Sequence, residues 1–127
     1  GGVLGSSMTE SNGIFSFPVE GYWLITTNWT FYVAAEADRH CGVMILVSVN
    51  AGSGDDYTQY AHSATSVGNT GAGTQYGNPG NFYIFDVTNL TTHKVRFDVD
   101  VVNGNMISYG HATEGRCVMQ FLRLGDI

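Results

Sequence analysis

Apolar and polar positions in this chain alternate with a period of two far more often than they recur at helical spacing. The cleanest case is residues 94–101, where Val95, Phe97, Val99 and Val101 share one face while Lys94, Arg96, Asp98 and Asp100 share the other. That is the pattern of a half-buried antiparallel strand. A longer run over residues 22–33 puts Trp23, Ile25, Thr27, Trp29, Phe31 and Val33 on one face, and Tyr22, Leu24, Thr26, Asn28, Thr30 and Tyr32 on the opposite face. Shorter β-rich runs cover residues 13–17, 58–64, 81–88 and 105–110. Between them lie turn clusters at 50–56, 68–81 and 102–105, the last carrying the Asn103-Gly104 pair that favours a hairpin. Only residues 33–40 have helix-forming composition, and they are too few for more than a turn or two. The expectation is an all-β domain of eight to ten strands in two packed sheets.

Two runs depart from half-burial. Over residues 41–49, Val43, Ile45, Val47 and Val49 form one apolar face and Met44 and Leu46 a second. Over residues 117–124, Met119 and Phe121 oppose Val118, Leu122 and Leu124. No helices are available to cover the second faces, and a soluble monomer rarely leaves so large a patch in water. The economical cover is another copy of the same sheet. An obligate homo-oligomer is therefore expected, with Met44, Leu46, Val118, Leu122 and Leu124 as interface candidates.

Composition narrows the classes. Charged residues make up 13% of the 127, against an ordinary value of about 25%. Such a chain is neither a disordered tail nor a heavily solvated helical protein. The net charge is −6, and the five cations Arg39, Lys94, Arg96, Arg116 and Arg123 are scattered. They cannot track a phosphate backbone or hold an anionic bilayer, so nucleic acid and membrane surfaces are excluded as partners. No apolar run reaches the roughly 18–20 residues of a membrane span. The chain opens Gly-Gly-Val-Leu-Gly-Ser-Ser without an initiator Met, and reads as the tail end of something longer. Residues 1–12 are expected to be a linker or first-strand region and 13–127 the domain.

Candidate chemistry is sparse. His40, His62, His93 and His111 lie far apart in sequence, and His111-x-x-Glu114 reads as solvated surface rather than a site needing three or four ligands. Residues 71–77 miss the dinucleotide spacing because Tyr76 occupies the third glycine position. Asp98 and Asp100 read as a solvated ladder beside Lys94 and Arg96. No nucleophile, base and orienting group can be assembled, so a non-enzyme without a cofactor is expected. Asp55 and Asp56 make an acidic turn. Cys41 and Cys117 each open a strand, and neighbouring antiparallel strands begin at opposite ends, so two free, largely buried thiols are expected. Recognition candidates are the residues bordering the long loops: Tyr57, Tyr60, Tyr76, Asn78, Asn81 and Tyr83. Tyrosine offers an apolar body and a polar tip to a sugar or protein surface, although the same residues also read as caps on the ends of the sandwich.

The stretch Asn-Gly-Ile-Phe-Ser-Phe-Pro-Val-Glu-Gly-Tyr-Trp-Leu-Ile, residues 12–25, resembles the signature region of the C1q-like domain of the C1q/TNF jelly-roll superfamily, with Gly13, Phe15, Pro18, Gly21 and Tyr22 as the matching positions. Residues 42–52 resemble that family's central strand, 85–101 its pair of strands around a Lys-Val turn, and 117–127 its closing strand. The endings at 85–97 and 121–126 are similar to those of domains in phage and marine viral appendage proteins. The resemblance implies a ten-stranded jelly roll forming a compact homotrimer, with the central and closing strands neighbours in an inner interface sheet. It implies a turn at Pro18 and Gly21, a core filled by Phe15, Trp23 and Trp29, and Ca2+ near the trimer apex, for which Asp55 and Asp56 are the candidate ligands. In function it implies a receptor-binding head on a virion appendage such as a tail fibre, joined to other fibre proteins and adhering to a host-surface glycan or protein. Two alternatives stand beside it: a purely structural virion component, such as a capsid decoration or tail-assembly protein, and a secreted C1q-like lectin or signalling domain.

Overall fold

A computed structural model describes residues 3–54 and 56–127 of the chain. It is all-β, with no helix among these residues. The strands are β1 (Thr9–Ser11), β2 (Ile14–Ser16), β3 (Gly21–Asn28), β4 (Phe31–Ala34), β5 (Asp38–Ser48), β6 (Thr58–Val67), β7 (Thr74–Gly77), β8 (Gly80–Val87), β9 (Lys94–Val101), β10 (Ile107–Ser108) and β11 (Val118–Gly125). One sheet has the order β1-β2-β9-β5-β6, a second β11-β3-β8 and a third β10-β4-β7. All pairings are antiparallel.

The second and third sheets form one layer, broken across its middle. The long alternating run at 22–33 is two strands, β3 and β4, interrupted at Trp29 and Thr30, and β7 and β8 are interrupted opposite at Asn78 and Pro79. Proline cannot donate to a ladder. Its carbonyl instead receives the Trp29 amide at 2.9 Å, joining the two breaks. Parity survives the break, so Trp23, Ile25, Thr27, Phe31 and Val33 are all buried. Each half-layer has its own core against the five-stranded sheet. Phe17, Trp23, Ile25, Ile45, Val47, Phe85, Val87 and Val95 form one; Phe31, Val33, Cys41 and Val67 form the other, with Trp29, Val101 and Met106 packed on it.

Phe15, Phe17 and Trp23 therefore pack within the sandwich, while Tyr22 points outward. Phe15 and Phe17 meet Phe121 from the closing strand, at ring separations of 5.3 and 6.3 Å. Phe17, which the sequence reading passed over, is the more deeply buried of the two. Gly21 has φ of +141°, and a Cβ there would stand 2.4 Å from the Gly125 carbonyl oxygen. Glycine is what lets the last strand close onto β3.

Several expectations are corrected. The central strand β5 and the closing strand β11 are not neighbours; they belong to different sheets, β11 beside β3 and β5 between β9 and β6. Both cysteines are free, but for a different reason from the one expected: Cys41 is buried in the second core, whereas Cys117 precedes β11 in the opposite layer and bonds the Thr30 carbonyl at 3.6 Å. Cys117 is only half-buried. Residues 35–37 form a turn, not a helix. Val99 is 48% exposed although its parity points inward. The cause is local: β2 pairs with β9 only at Lys94–Arg96, so beyond that point β9 runs as an edge.

The Asn103-Gly104 turn does not make a hairpin either. It carries the chain from β9 to β10, which lie in different sheets. A carboxylate anchors this crossover. Asp38 is 2% exposed, and it accepts from the His40 amide at 2.9 Å and from the Asn103 amide at 3.0 Å. The Asn103 and Asn105 side-chain amides donate to Glu36, holding its carboxyl below the usual carboxylate range.

Replacing Asp38 with Ala leaves two amides without their acceptor. Urea unfolding should show a loss of about 2–6 kcal/mol, at about 1–3 kcal/mol per buried unsatisfied group; a loss within error of zero removes Asp38 from this role. Burial, and then the charge of Asp38, push the Cys41 thiol up. Thiol titration should therefore count two groups in unreduced, denatured protein, and in the native state Cys117 should be modified well before Cys41. Equal native rates contradict the burial described.

Candidate functional site

The outward face of the β11-β3-β8 sheet is the most apolar exposed surface of the chain. Alternation sends Trp23, Ile25 and Thr27 of β3 inward and Tyr22, Leu24 and Thr26 outward. On β8 the outward apolar residues are Phe82 and Ile84, and on β11 the outward residues before the bulge at Arg123/Gly125 are Val118, Gln120 and Leu122. Register lines them up: Leu122, Leu24 and Ile84 form one row across three strands, and Gln120, Thr26 and Phe82 the next. Leu122 is 58% exposed, Ile84 51% and Phe82 67%. The polar groups within the second row satisfy one another, since Thr26 donates to Gln120 Oε1 at 3.1 Å. Asp86, opposite Tyr22, is the outward-facing acid of this sheet. Residues 3–8 border a cleft of about 980 Å³ on the same side, where Val3 and Leu4 are themselves exposed.

Of the five interface candidates from the sequence, Val118 and Leu122 lie on this face, while Leu124, though exposed, falls in the bulge between Arg123 and Gly125 and has no partner on β3. Met44 and Leu46 lie elsewhere. They sit on the outer face of the other sheet, where Leu46 is only 7% exposed and is flanked by Arg96. The face instead includes Tyr22, Leu24, Phe82 and Ile84. Tyr22 and Leu24 belong to the face opposite Trp23 and Ile25 in the alternation of residues 22–33.

The six recognition candidates separate into different roles. Tyr60 and Tyr83 stack on each other at 4.9 Å, closing the sandwich edge where β6 meets β8. Burial, then Tyr60 and Asp86, push the Tyr83 phenol up. Asn81 donates to the Val43 carbonyl at 2.8 Å and Asn78 to the Thr30 hydroxyl at 2.9 Å, so both amides tie strands together. Tyr57 lies under the Arg96 guanidinium at 4.9 Å. Tyr60 and Tyr76 are the two candidates that stand more than half exposed, and Tyr76 has two ring partners that sequence reasoning missed.

Those partners are Tyr32 and Tyr109. The three rings meet pairwise at 6.2, 4.9 and 5.6 Å on the β10-β4-β7 sheet. Pairing brings Tyr32 of β4 opposite Tyr76 of β7, and the Tyr109 amide donates to the Thr30 carbonyl at 2.7 Å. Trp29 Nε1 steadies the same strand by donating to the Ser108 hydroxyl at 2.8 Å. Arg116 lies over the Tyr109 ring at 4.3 Å and pairs with Glu114. The hydrogen bond that Arg116 Nε donates to the Glu114 carboxylate at 2.7 Å holds Arg116 up and the Glu114 carboxyl down. The result is an exposed aromatic platform with a cation and a carboxylate at its rim. Such a surface suits the C–H face and hydroxyls of a sugar, or a protein surface.

The metal and catalytic readings find their residues engaged elsewhere. His111 Nδ1 accepts from the Glu114 amide at 3.1 Å, closing a turn. Asp56 accepts from the Asn50 amide side chain at 2.9 Å; Asp55 lies outside the described residues. Asp98 pairs with Arg96 at 3.1 Å. Among the described residues, no three His, Cys, Asp and Glu side chains stand ready-made around an ion position. No helix among them is long and apolar enough to cross a membrane. In comparisons with known proteins, neither a family model nor a curated protein matches the chain.

Proposed function

We propose that the chain is a non-enzymatic adhesion head of the C1q/TNF jelly-roll type, assembled as a homotrimer and carried on a virion appendage, where it binds a host-surface glycan or protein. The observation that carries the reading is the row Leu122–Leu24–Ile84 with Phe82 beside it, apolar and exposed across three strands. Water contact with such a row is unfavourable by about 25 cal/mol per Å². A chain of net charge −6 repels its own copies at most approaches. This face is where that repulsion is weakest, because within the two central rows only neutral side chains stand. Another copy of the same face is therefore its natural cover.

The jelly-roll assignment draws on the interleaved order of the strands, in which the chain's end returns beside β3 while β9 sits between β2 and β5. The number three, the appendage and the host come from the resemblance of residues 12–25 and of the closing segment. The Tyr32–Tyr76–Tyr109 platform favours adhesion over a purely structural role, since the fold does not need Tyr76 to be half-exposed. Three platforms around one axis convert weak contacts into avidity.

Light scattering at micromolar protein should give the mass of three chains, and Leu122→Asp with Ile84→Asp should give one chain with unchanged circular dichroism. A monomeric parent protein removes the assembly. Tyr76→Ala should leave that mass unchanged while lowering attachment to host cells or arrayed glycans by about tenfold, since stacking on one ring contributes about 1–2 kcal/mol. Full attachment by the Tyr76→Ala trimer would place the contact elsewhere.

A further inference from the structure

We infer that the platform of Tyr32, Tyr76 and Tyr109 seats one uncharged pyranose ring of a glycan, and that the pairing of Arg116 with Glu114 turns acidic sugars away from it. This rests on the adhesion reading and narrows it to a ligand class. The sheet β10-β4-β7 sets an outward row across three strands, with Ile107 opposite Tyr32 and Tyr32 opposite Tyr76. Tyr109 follows directly after β10, its ring inclined at 69° to Tyr32 and 41° to Tyr76. Rings at such angles make a corner and not a flat track. A corner receives a single sugar ring against its faces.

Size decides between a sugar and a protein. A stable protein partner covers about 800 Å² on each side. Burying a whole tyrosine covers about 150–250 Å². Tyr32, Tyr76 and Tyr109 are packed on one another and partly covered already, so the platform offers roughly a few hundred Å². That is small for a protein interface and enough for the C–H face of a pyranose.

Charge decides which sugar. Arg116 is the cation at this site, and its donors are committed. Nε and Nη2 both meet Glu114 Oε2 at 2.7 Å, the guanidinium lies over the Tyr109 ring at 4.3 Å, and Nη1 is buried. The Arg116 side chain is 26% exposed against 59% for Glu114, so a ligand meets the carboxylate before the guanidinium. Both contacts fall on Oε2, which leaves Oε1 to accept a sugar hydroxyl, and the phenols can donate or accept. A sugar carboxylate, sulfate or phosphate would instead stand beside Glu114 with Arg116 already taken. The other four cations belong to other sheets, Arg39 to β5, Lys94 and Arg96 to β9, and Arg123 to β11. The net charge of −6 adds repulsion at longer range.

The test is attachment of the assembled protein to arrayed glycans in matched pairs. One member ends in a neutral hexose, and the other carries a sialic acid, a sulfate or a phosphate on the same core. The parent protein should hold the neutral member about tenfold or more the tighter, a comparison that needs no variant. Glu114→Gln keeps the length of the side chain, removes its charge and releases Arg116. With circular dichroism as in the parent, it should shrink the preference within each pair by about tenfold or more. Preference of the parent for the acidic members, or an undiminished preference in Glu114→Gln, would overturn the role of the ion pair and leave adhesion standing. Attachment to host cells that protease treatment abolishes, with no glycan bound, would replace the sugar by a protein partner. No attachment to cells or glycans would remove the adhesion reading and the sugar seat together.

Discussion

Everything in this domain rests on the inward row of β5. Cys41, Val43, Ile45 and Val47 are all but fully buried, and they run beneath both halves of the opposite layer. Val47 and Ile45 floor one core and Cys41 floors the other. Burying each Val or Ile stabilises the fold by about 1.5–3 kcal/mol, but the larger effect is geometric. The opposite layer is cut in two, and β5, at 11 residues the longest strand, is the continuous element that holds both pieces in one orientation. A change of volume in this row is felt at both ends of the molecule, because close-packed interiors transmit strain.

The cut itself separates duties. At one end, β11-β3-β8 presents a flat apolar face; at the other, β10-β4-β7 presents aromatic rings with charged neighbours. The bridge between Trp29 and Pro79, and the bonds that converge on Thr30 from Asn78, Tyr109 and Cys117, hold the two ends in fixed relation. Thr30 is buried. It is the joint against which the aromatic platform is set.

The fold class was legible because strand alternation is a local property, and parity alone placed Trp23, Ile25, Phe31 and Val33 in the interior. The break at Trp29 was not legible, since parity continues across it and the reason for it lies at Pro79, fifty residues on. The doubly apolar β11 gave away the exposed face through Leu122. The rest of that face, Leu24, Phe82 and Ile84, lay hidden because an apolar residue at an outward position looks like ordinary surface until register puts three of them in a row. Met44 and Leu46 misled for the opposite reason: an apolar second face on β5 is covered within the chain. The aromatic platform was half visible through Tyr76, while Tyr32 and Tyr109 needed the pairing of β4 with β7 and β10.

The pairing of β11 with β3 has a consequence for synthesis. Thr26 and Gln120, which bond across these strands, are 94 residues apart. Contacts of such separation form late, because the entropy of closing the loop must be met before they contribute. A nascent chain can pair β5 with β6 and begin the first core well before residues 118–125 are made, but the row of Leu24 and Ile84 has no third strand until they emerge. Until then the free side of β3 is an open edge. Such an edge is a template for pairing with other chains, so the interval before β11 docks is the one in which this domain is most exposed to misassembly.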